Sequence, residues 1–78
     1  MQKTDVREWL QKQIAEESGV AVEEISLDEA FENFRLDSLS FVSISYELET
    51  QLSMEISPTV FTEFNTINKL AEWINAQK

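Results

Sequence analysis

Apolar residues recur every three to four positions in three segments of the chain, as expected for helices that each bury one face. The first segment covers residues 5–18, and Thr4 before it is a candidate N-cap. Gly19 follows directly and supplies a stop. The segment's apolar residues at helical spacing are Val6, Trp9, Leu10 and Ile14. This pattern predicts a first helix over 5–18.

Residues 20–35 then form a connection that is long for a compact domain, so we expect it to hold local structure or a function. Ser26 with Glu29 has the form of a capping box for one short turn. The apolar residues that can pin this connection and its end to the core are Ile25, Leu27, Phe31, Phe34 and Leu36.

A second helix is predicted from about Asp37 to Ser53, and its apolar side chains fall into two stripes. One stripe comprises Ile44, Leu48 and Leu52, with Phe41 at its margin. The other comprises Leu39, Val42 and Tyr46, on nearly the opposite side. A helix in a small bundle needs one buried face. The second stripe therefore either packs on a neighbouring helix or binds a partner.

Ser57 and Pro58 are expected to begin a short helix, since proline suits the first helical position. Its inward residues would be Val60, Phe61 and Phe64. Asn65 or Thr66 caps a last helix over 67–78, with Trp73 partly exposed. The buried stripe of that helix is Ile67, Leu70, Ala71 and Ile74. Three longer helices and one short helix predict an all-α four-helix bundle, formed by residues 1–78 as a single domain.

The 78 residues carry 15 acidic and 6 basic side chains, a formal charge of −9. Such a surface repels phosphate backbones and anionic lipid headgroups, which argues against binding nucleic acid or a membrane surface. It favours partners with basic patches, although the charge also serves solubility alone. No apolar run reaches membrane-spanning length and no signal peptide is evident, so we expect a cytoplasmic protein. We also expect it to be a monomer.

The chain contains neither cysteine nor histidine. This excludes disulfides, thiolate and imidazole metal sites, and nucleophiles activated by histidine. Paired carboxylates could hydrolyse a glycoside only within a deep cleft, which so small a bundle rarely offers. The sequence therefore indicates a protein that is not an enzyme and binds no metal.

The stretch "FRLDSLSF", residues 34–41, places Ser38 where the connection meets the second helix. Asp and Ser are ordinary helix starters, so Asp37 can be an N-cap and Ser38 a residue without further role. A helix N-terminus, however, also favours a phosphodiester, because its unpaired N–H groups carry partial positive charge. Since the chain has no reactive group of its own, a functional Ser38 would need imported chemistry.

A series of short motifs runs along the chain from Phe31. They are "LDSL" at 36–39, "LE" at 48–49, "ISP" at 56–58, "NTI" at 65–67 and "LAEWI" at 70–74. Through these motifs, and over nearly its whole length, the chain resembles the acyl carrier protein, or phosphopantetheine-attachment, family. No single piece is specific, but their order and spacing are.

This resemblance implies that Ser38 receives 4′-phosphopantetheine from coenzyme A through a phosphopantetheinyl transferase, and that Asp37 helps that transferase dock. Acyl groups would then travel as thioesters on the arm. The implied partners are an acyl-loading enzyme, a ketosynthase or other acyl-processing enzymes. The sequence looks closer to carriers of modular polyketide synthases than to fatty-acid carriers.

Two departures from the family pattern concern recognition. Arg35 stands where the family usually has glycine; it either places a cation near the phosphate or pairs with Glu32. The start of the second helix lacks the usual carboxylates, so recognition should depend on Leu39, Val42 and Tyr46, with Glu47 and Glu49 at the rim.

Two other functions, and the role of one set of apolar residues, stay open from the sequence alone. One is a peptidyl carrier of a nonribosomal synthetase, against which the "LDSL" form argues. Another is a helical adaptor, in which the second stripe docks a protein and Ser38 is only part of a cap. A set of apolar residues, finally, either lines a cleft for the acyl chain or packs the core. These residues are Phe41, Ile44, Leu48, Ile56, Val60 and Phe61.

Overall fold

The computed structural model describes residues 6–77 and consists of four helices joined by loops. These are α1 (Val6–Ser18), α2 (Ser38–Leu52), α3 (Val60–Glu63) and α4 (Ile67–Ala76). The predicted all-α bundle of three longer helices and one short helix is thereby confirmed. The proposed cap Thr4 lies outside the described residues.

Gly19 ends α1 as predicted. Its φ of +78° is left-handed, and its N–H donates to the Ala15 carbonyl at 2.9 Å. Glycine adopts this conformation at little cost, because it has no Cβ to clash with the backbone. The chain can therefore turn sharply into the long connection.

The core forms from the apolar stripe of each helix together with anchors from the connection, and α1 packs against α4. Burying one such aliphatic side chain stabilises the fold by about 1.5–3 kcal/mol. The side chains that are less than 2% exposed include Val6, Leu10, Ile14, Phe31, Ile44, Leu48, Ile67, Leu70 and Ile74.

The connection contains two short 3-10 turns, Val22–Glu24 and Phe31–Asn33. As predicted, its apolar residues are held by the core: Ile25, Phe31 and Phe34 are buried, and Leu27 and Leu36 are half-buried against it. This long segment is therefore fixed at several points before it reaches α2.

The capping box predicted for Ser26 and Glu29 is wrong. The Ser26 hydroxyl accepts the N–H of Asp28 at 3.3 Å, while the Glu29 carboxylate accepts the side-chain amide of Asn33 instead of turning back to Ser26. A local serine turn forms here because Ser side chains readily bond to backbone groups two residues on.

One helix start differs from the sequence pattern, and another agrees with one of the two caps predicted for it. The α3 helix begins at Val60 rather than Pro58, because Ser57 and Pro58 form a turn whose carbonyls accept the N–H groups of Val60 and Phe61. Thr66 caps α4, with its hydroxyl accepting the N–H of Lys69 at 3.1 Å.

Among residues 6–77, no helix has the length and apolar character needed to cross a bilayer.

Candidate functional site

The N-terminus of α2 is fixed by Asp37, the N-cap residue expected from the sequence. Its backbone is extended (φ −97°, ψ 177°), and its Oδ1 accepts the N–H of Ser40 at 2.9 Å. The Ser40 hydroxyl donates to the same oxygen at 3.1 Å. The backbone N–H of Ser40, and next its hydroxyl, lower the pKa of Asp37 below its ordinary value of 3.8. The carboxylate is therefore held charged beside Ser38.

Ser38 is the first residue of α2, and its side chain is exposed. Among residues 6–77 its hydroxyl has no hydrogen-bond partner. Because the first N–H groups of a helix have no intrahelical acceptor, this end of α2 also carries partial positive charge. A phosphodiester on the Ser38 oxygen would displace no existing contact. The residues present thus fit a covalently attached phosphate group.

A pocket of about 210 Å³ opens one helical turn from Ser38, where Phe41 lies on α2. Its wall is aromatic: Phe31 meets Phe61 edge to face at 5.1 Å between ring centroids, and Phe41 meets Phe61 at 5.0 Å. The lining residues are Phe31, Glu32, Phe41, Pro58, Phe61, Thr62 and Asn65.

This pocket shows which of the cleft residues suggested by the sequence line an opening beside α2. Phe41 and Phe61 line it. The other four do not: Ile44, Leu48 and Val60 belong to the core, and Ile56, also buried, lines a second groove. The polar residues at its rim, Glu32, Thr62 and Asn65, could not be predicted, because no local pattern in the sequence places them at one opening.

The second stripe of α2 faces away from the core. Leu39 is 75% exposed, Val42 48% and Tyr46 70%, whereas Ile44 and Leu48 on the other side are buried. Within the part of the chain that the structure describes, no helix covers this stripe, so the alternative of internal packing is wrong. Of the charged residues expected to take part in recognition, Glu47 and Arg35 are exposed and Glu49 is half-exposed.

Two of the residues around α2 border a second opening. Glu49 and Glu55 flank a groove of about 330 Å³ whose other lining residues are Ile56, Ser57 and Pro58. Glu49 thus lies at the end of α2 remote from Ser38, while Arg35 lies before its start. The structure distributes the rim charges along the whole helix rather than gathering them at one point.

Comparison with known proteins identifies the family to which this chain belongs. The family model described as "Phosphopantetheine attachment site" matches residues 8–74. A non-reducing polyketide synthase of Zymoseptoria tritici is 37% identical over 62 residues, 80% of this chain. A polyketide synthase of Bacillus subtilis is 28% identical over 67 residues, 86% of the chain. The chain spans only 2–3% of the length of these curated relatives.

Solved structures agree with the fold. The crystal structure of a free-standing peptidyl carrier protein from Acinetobacter baumannii superposes with a TM-score of 0.88 at 32% identity, covering 95% of this chain and 92% of that one. An acyl carrier protein from Anabaena with a variant phosphopantetheinylation-site sequence gives a TM-score of 0.80 at 29% identity, covering 92% and 82%. The chain therefore belongs to the phosphopantetheine attachment-site family, the carrier domains whose covalent cofactor is 4′-phosphopantetheine.

Proposed function

We propose that Ser38 carries the 4′-phosphopantetheine arm and that residues 1–78 form one carrier domain for acyl groups in polyketide or specialised lipid synthesis. The observation that carries this proposal is the exposed Ser38 hydroxyl at the N-terminus of α2, which has no hydrogen-bond partner among the described residues 6–77. Asp37 beside it would help the transferase dock. The proposed domain works as a cytoplasmic monomer and catalyses no reaction itself.

The chemistry of attachment explains why the chain needs a partner enzyme. The Ser38 oxygen forms a bond to the phosphorus of coenzyme A that bears the pantetheine, and adenosine 3′,5′-bisphosphate leaves with the electrons of the broken P–O bond. The hydroxyl proton requires a base, but the chain has no histidine, and the Asp37 carboxylate has a lowered pKa. A lowered pKa makes this carboxylate a weaker base, so we expect the transferase to supply the group that takes the proton.

Once attached, the arm supplies a thiol on which acyl groups are held as thioesters. The protein's own contribution is to fix the attachment point on a rigid helix and to present the tethered group to successive enzymes. Tethering raises the effective concentration of the acyl group at each active site. The polyketide relatives support an acyl cargo, because those synthases are the proteins in which similar segments occur.

A second candidate function is a peptidyl carrier, favoured by the similarity to the Acinetobacter baumannii protein. The two candidates share the arm and differ in the loading enzyme. Loading by an acyl-transferring enzyme but not by an amino-acid-activating enzyme would support the acyl carrier. The opposite preference would support the peptidyl carrier.

We further propose that partner enzymes recognise α2 through the exposed stripe Leu39, Val42 and Tyr46. An exposed tyrosine flanked by aliphatic side chains can anchor an interface. Glu47, Glu49 and Arg35 would lie at its rim, where charges mainly set the association rate and its salt dependence. The partners that this stripe would meet are the transferase, an acyl-loading enzyme and a ketosynthase.

The attachment site can be tested by intact-protein mass spectrometry after incubation with coenzyme A and a broad-specificity phosphopantetheinyl transferase. The wild-type chain should gain the mass of one phosphopantetheinyl group, and Ser38→Ala should gain none. Ser43→Ala is the matched control, because it removes another exposed serine hydroxyl from α2 and should still be modified. Ser38→Ala should keep its stability within about 0.5 kcal/mol, as exposed substitutions usually do.

Modification of Ser38→Ala would show that another residue carries the arm. A wild-type chain that stays unmodified would instead favour the helical adaptor, in which Ser38 is only part of a helix cap.

A further inference from the structure

Asn68, in the first turn of α4, joins three segments that are distant in sequence. Its side-chain oxygen accepts the Arg7 Nε–H of α1 at 2.7 Å, and its side-chain amide donates to the Asp28 carboxylate at 2.6 Å. Its backbone N–H donates to the carbonyl of Leu27 at 3.0 Å. We call the side-chain set Arg7, Asn68 and Asp28 the clasp.

The hydrogen-bonding polarity of the clasp is unambiguous. The arginine guanidinium has only donors and the ionised aspartate only acceptors, so the residue between them must accept on one side and donate on the other. A side-chain amide does this, and asparagine has the length to do it from the first turn of α4. The clasp therefore depends on the identity of residue 68, not only on its polarity.

The clasp holds the part of the connection that leads toward Ser38. Beside it, the N–H of Phe31 donates to the carbonyl of Asn65 at 2.8 Å, and Ala30 forms an antiparallel bridge with Thr66. Residues 27–31 thus run along residues 65–68. Because these contacts occur in one short stretch, loss of the clasp would loosen one end of it.

Phe31 connects this stretch to α2. Its side chain is 1% exposed and meets the ring of Phe41 at 6.3 Å and 70°. Phe41 in turn donates its N–H to the carbonyl of Asp37, in the turn that contains Ser38. A packed route therefore runs from the clasp to the attachment turn through two aromatic side chains.

We propose that Asn68 is a positioning residue for loading: through the clasp it fixes residues 27–31 and Phe31, and thereby the turn that presents Ser38 to the transferase. This role rests on the proposed function of Ser38. It adds to the site a residue thirty positions from Ser38 in the sequence, whose contacts are with Arg7, Leu27 and Asp28.

The test uses a pair of substitutions that exchange the two side chains. Asn68→Asp keeps the acceptor for Arg7. It replaces the amide that donates to Asp28 with a second carboxylate, which repels that of Asp28. The double variant Asn68→Asp with Asp28→Asn restores the donor, now on residue 28, and leaves the net charge of the protein unchanged. Ile74→Val is the matched control, since it removes one buried methyl group from α4 and lowers stability without touching the clasp.

The readout is kcat/KM of a phosphopantetheinyl transferase for each variant as protein substrate, at a temperature where circular dichroism shows all of them folded. Asn68→Asp should lower kcat/KM by about three- to tenfold, less than the roughly tenfold or more expected for direct loss of a hydrogen bond to a charged group, because Asn68 acts on Ser38 through other residues. The double variant should recover to within about twofold of wild type, because the bridge is remade. Ile74→Val should match wild type.

Hydrogen exchange gives an independent measurement. Exchange of the Phe31 N–H should accelerate in Asn68→Asp and return toward the wild-type rate in the double variant. Equal kcat/KM for Asn68→Asp and wild type would overturn the proposal, as would equal losses in Asn68→Asp and Ile74→Val. If the wild-type chain is not loaded at all, the proposed function of Ser38 fails instead, and the two failures are thereby distinguished.

Discussion

The Asp37 carboxylate accepts the backbone N–H of Ser40 at 2.9 Å, so these two residues enclose Ser38 within a single helix cap. One side chain thereby does two things. It fixes where α2 begins, and it places a negative charge next to the hydroxyl proposed for attachment. The cap and the attachment site share the same turn, which makes the charge state of Asp37 a testable property of the site.

We predict that Asp37 stabilises the fold in a pH-dependent way. Its folded pKa lies below its ordinary value of 3.8, so its contribution is fully present above that value and is lost as the pH falls through the lowered folded pKa. Asp37→Asn keeps an acceptor for the Ser40 N–H but removes the charge. Wild type should therefore have the higher Tm near neutral pH, and the difference should vanish in acid.

Thermal unfolding of both proteins between neutral pH and pH values below 3.8 measures this difference. Ser40→Ala is the control: it removes the hydroxyl but keeps the backbone N–H, so most of the pH dependence should persist. A Tm difference that stays constant over the whole range would contradict the assignment of the effect to the Asp37 charge.

The main features of the fold and of α2 could be predicted from the sequence because they depend on local patterns. Helical spacing predicts that the apolar side chains of α2 form two stripes, and the exposure of Leu39 and Tyr46 shows that the second stripe is not packed against a neighbouring helix of residues 6–77. Asp37 as N-cap follows from its side chain alone. Gly19 is predicted for the same kind of reason, since a left-handed terminus favours glycine.

Features that depend on distant residues could not be predicted. Asn68 contacts Arg7, which lies 61 residues away, and Asp28, which lies 40 residues away, and no spacing along the chain signals either contact. The capping box failed for a related reason, because Asn33 competes for the Glu29 carboxylate once the second 3-10 turn forms. Local propensity is a weak guide wherever tertiary contacts decide the outcome.

We predict that Tyr46→Ala impairs transfer to a partner enzyme without harming the fold. Tyr46 is 70% exposed, so the free energy of unfolding should change by less than about 0.5 kcal/mol. If the ring is an interface anchor, kcat/KM of an acyl-processing partner for the loaded carrier should fall about tenfold or more.

Gln51→Ala is the matched control for this substitution, because residue 51 is exposed on α2 but lies off the stripe. It should leave transfer unchanged. Glu47→Gln, at the rim, should change the association rate and weaken its salt dependence. It should leave the dissociation rate nearly unchanged. Wild-type transfer kinetics in Tyr46→Ala would dismiss the stripe as a recognition surface.

Phe31 should be among the most sensitive core positions in the connection. Its ring packs edge to face on both Phe41 and Phe61. Phe31→Leu keeps an apolar side chain but loses both aromatic pairs, so we expect a loss of about 1–2 kcal/mol in the free energy of unfolding. Urea denaturation measures this loss.

Phe64→Leu provides the comparison for Phe31→Leu. Phe64 is half-buried and stacks on Trp73 alone among the aromatic rings of residues 6–77. Phe64→Leu should therefore lower the free energy of unfolding by less than Phe31→Leu does. An equal or greater loss at Phe64 would contradict the view that Phe31 anchors the connection to α2.

Gly19 and Ser53 both have left-handed backbone angles at the end of a helix, and substituting them should change the free energy of unfolding in opposite directions. Gly19 has a φ of +78°, and no atom lies within contact distance of the position a Cβ would take. Gly19→Ala therefore introduces backbone strain without a clash and should lower the free energy of unfolding by about 1 kcal/mol. Ser53 ends α2 at φ 54° and ψ 41°. Ser53→Gly removes that strain, and the greater freedom of glycine in the unfolded chain offsets part of the gain.

We therefore expect Ser53→Gly to raise the free energy of unfolding by roughly 0.5 kcal/mol, or about 2–4 °C in Tm. Thermal and urea unfolding of both variants against wild type measure the pair, and loading of Ser38 should stay at the wild-type level in each. Because Ser53 is exposed and makes no described side-chain bond within residues 6–77, its backbone angle alone should decide the sign. A destabilised Ser53→Gly would mean that the serine side chain contributes more to the end of α2 than its left-handed backbone costs.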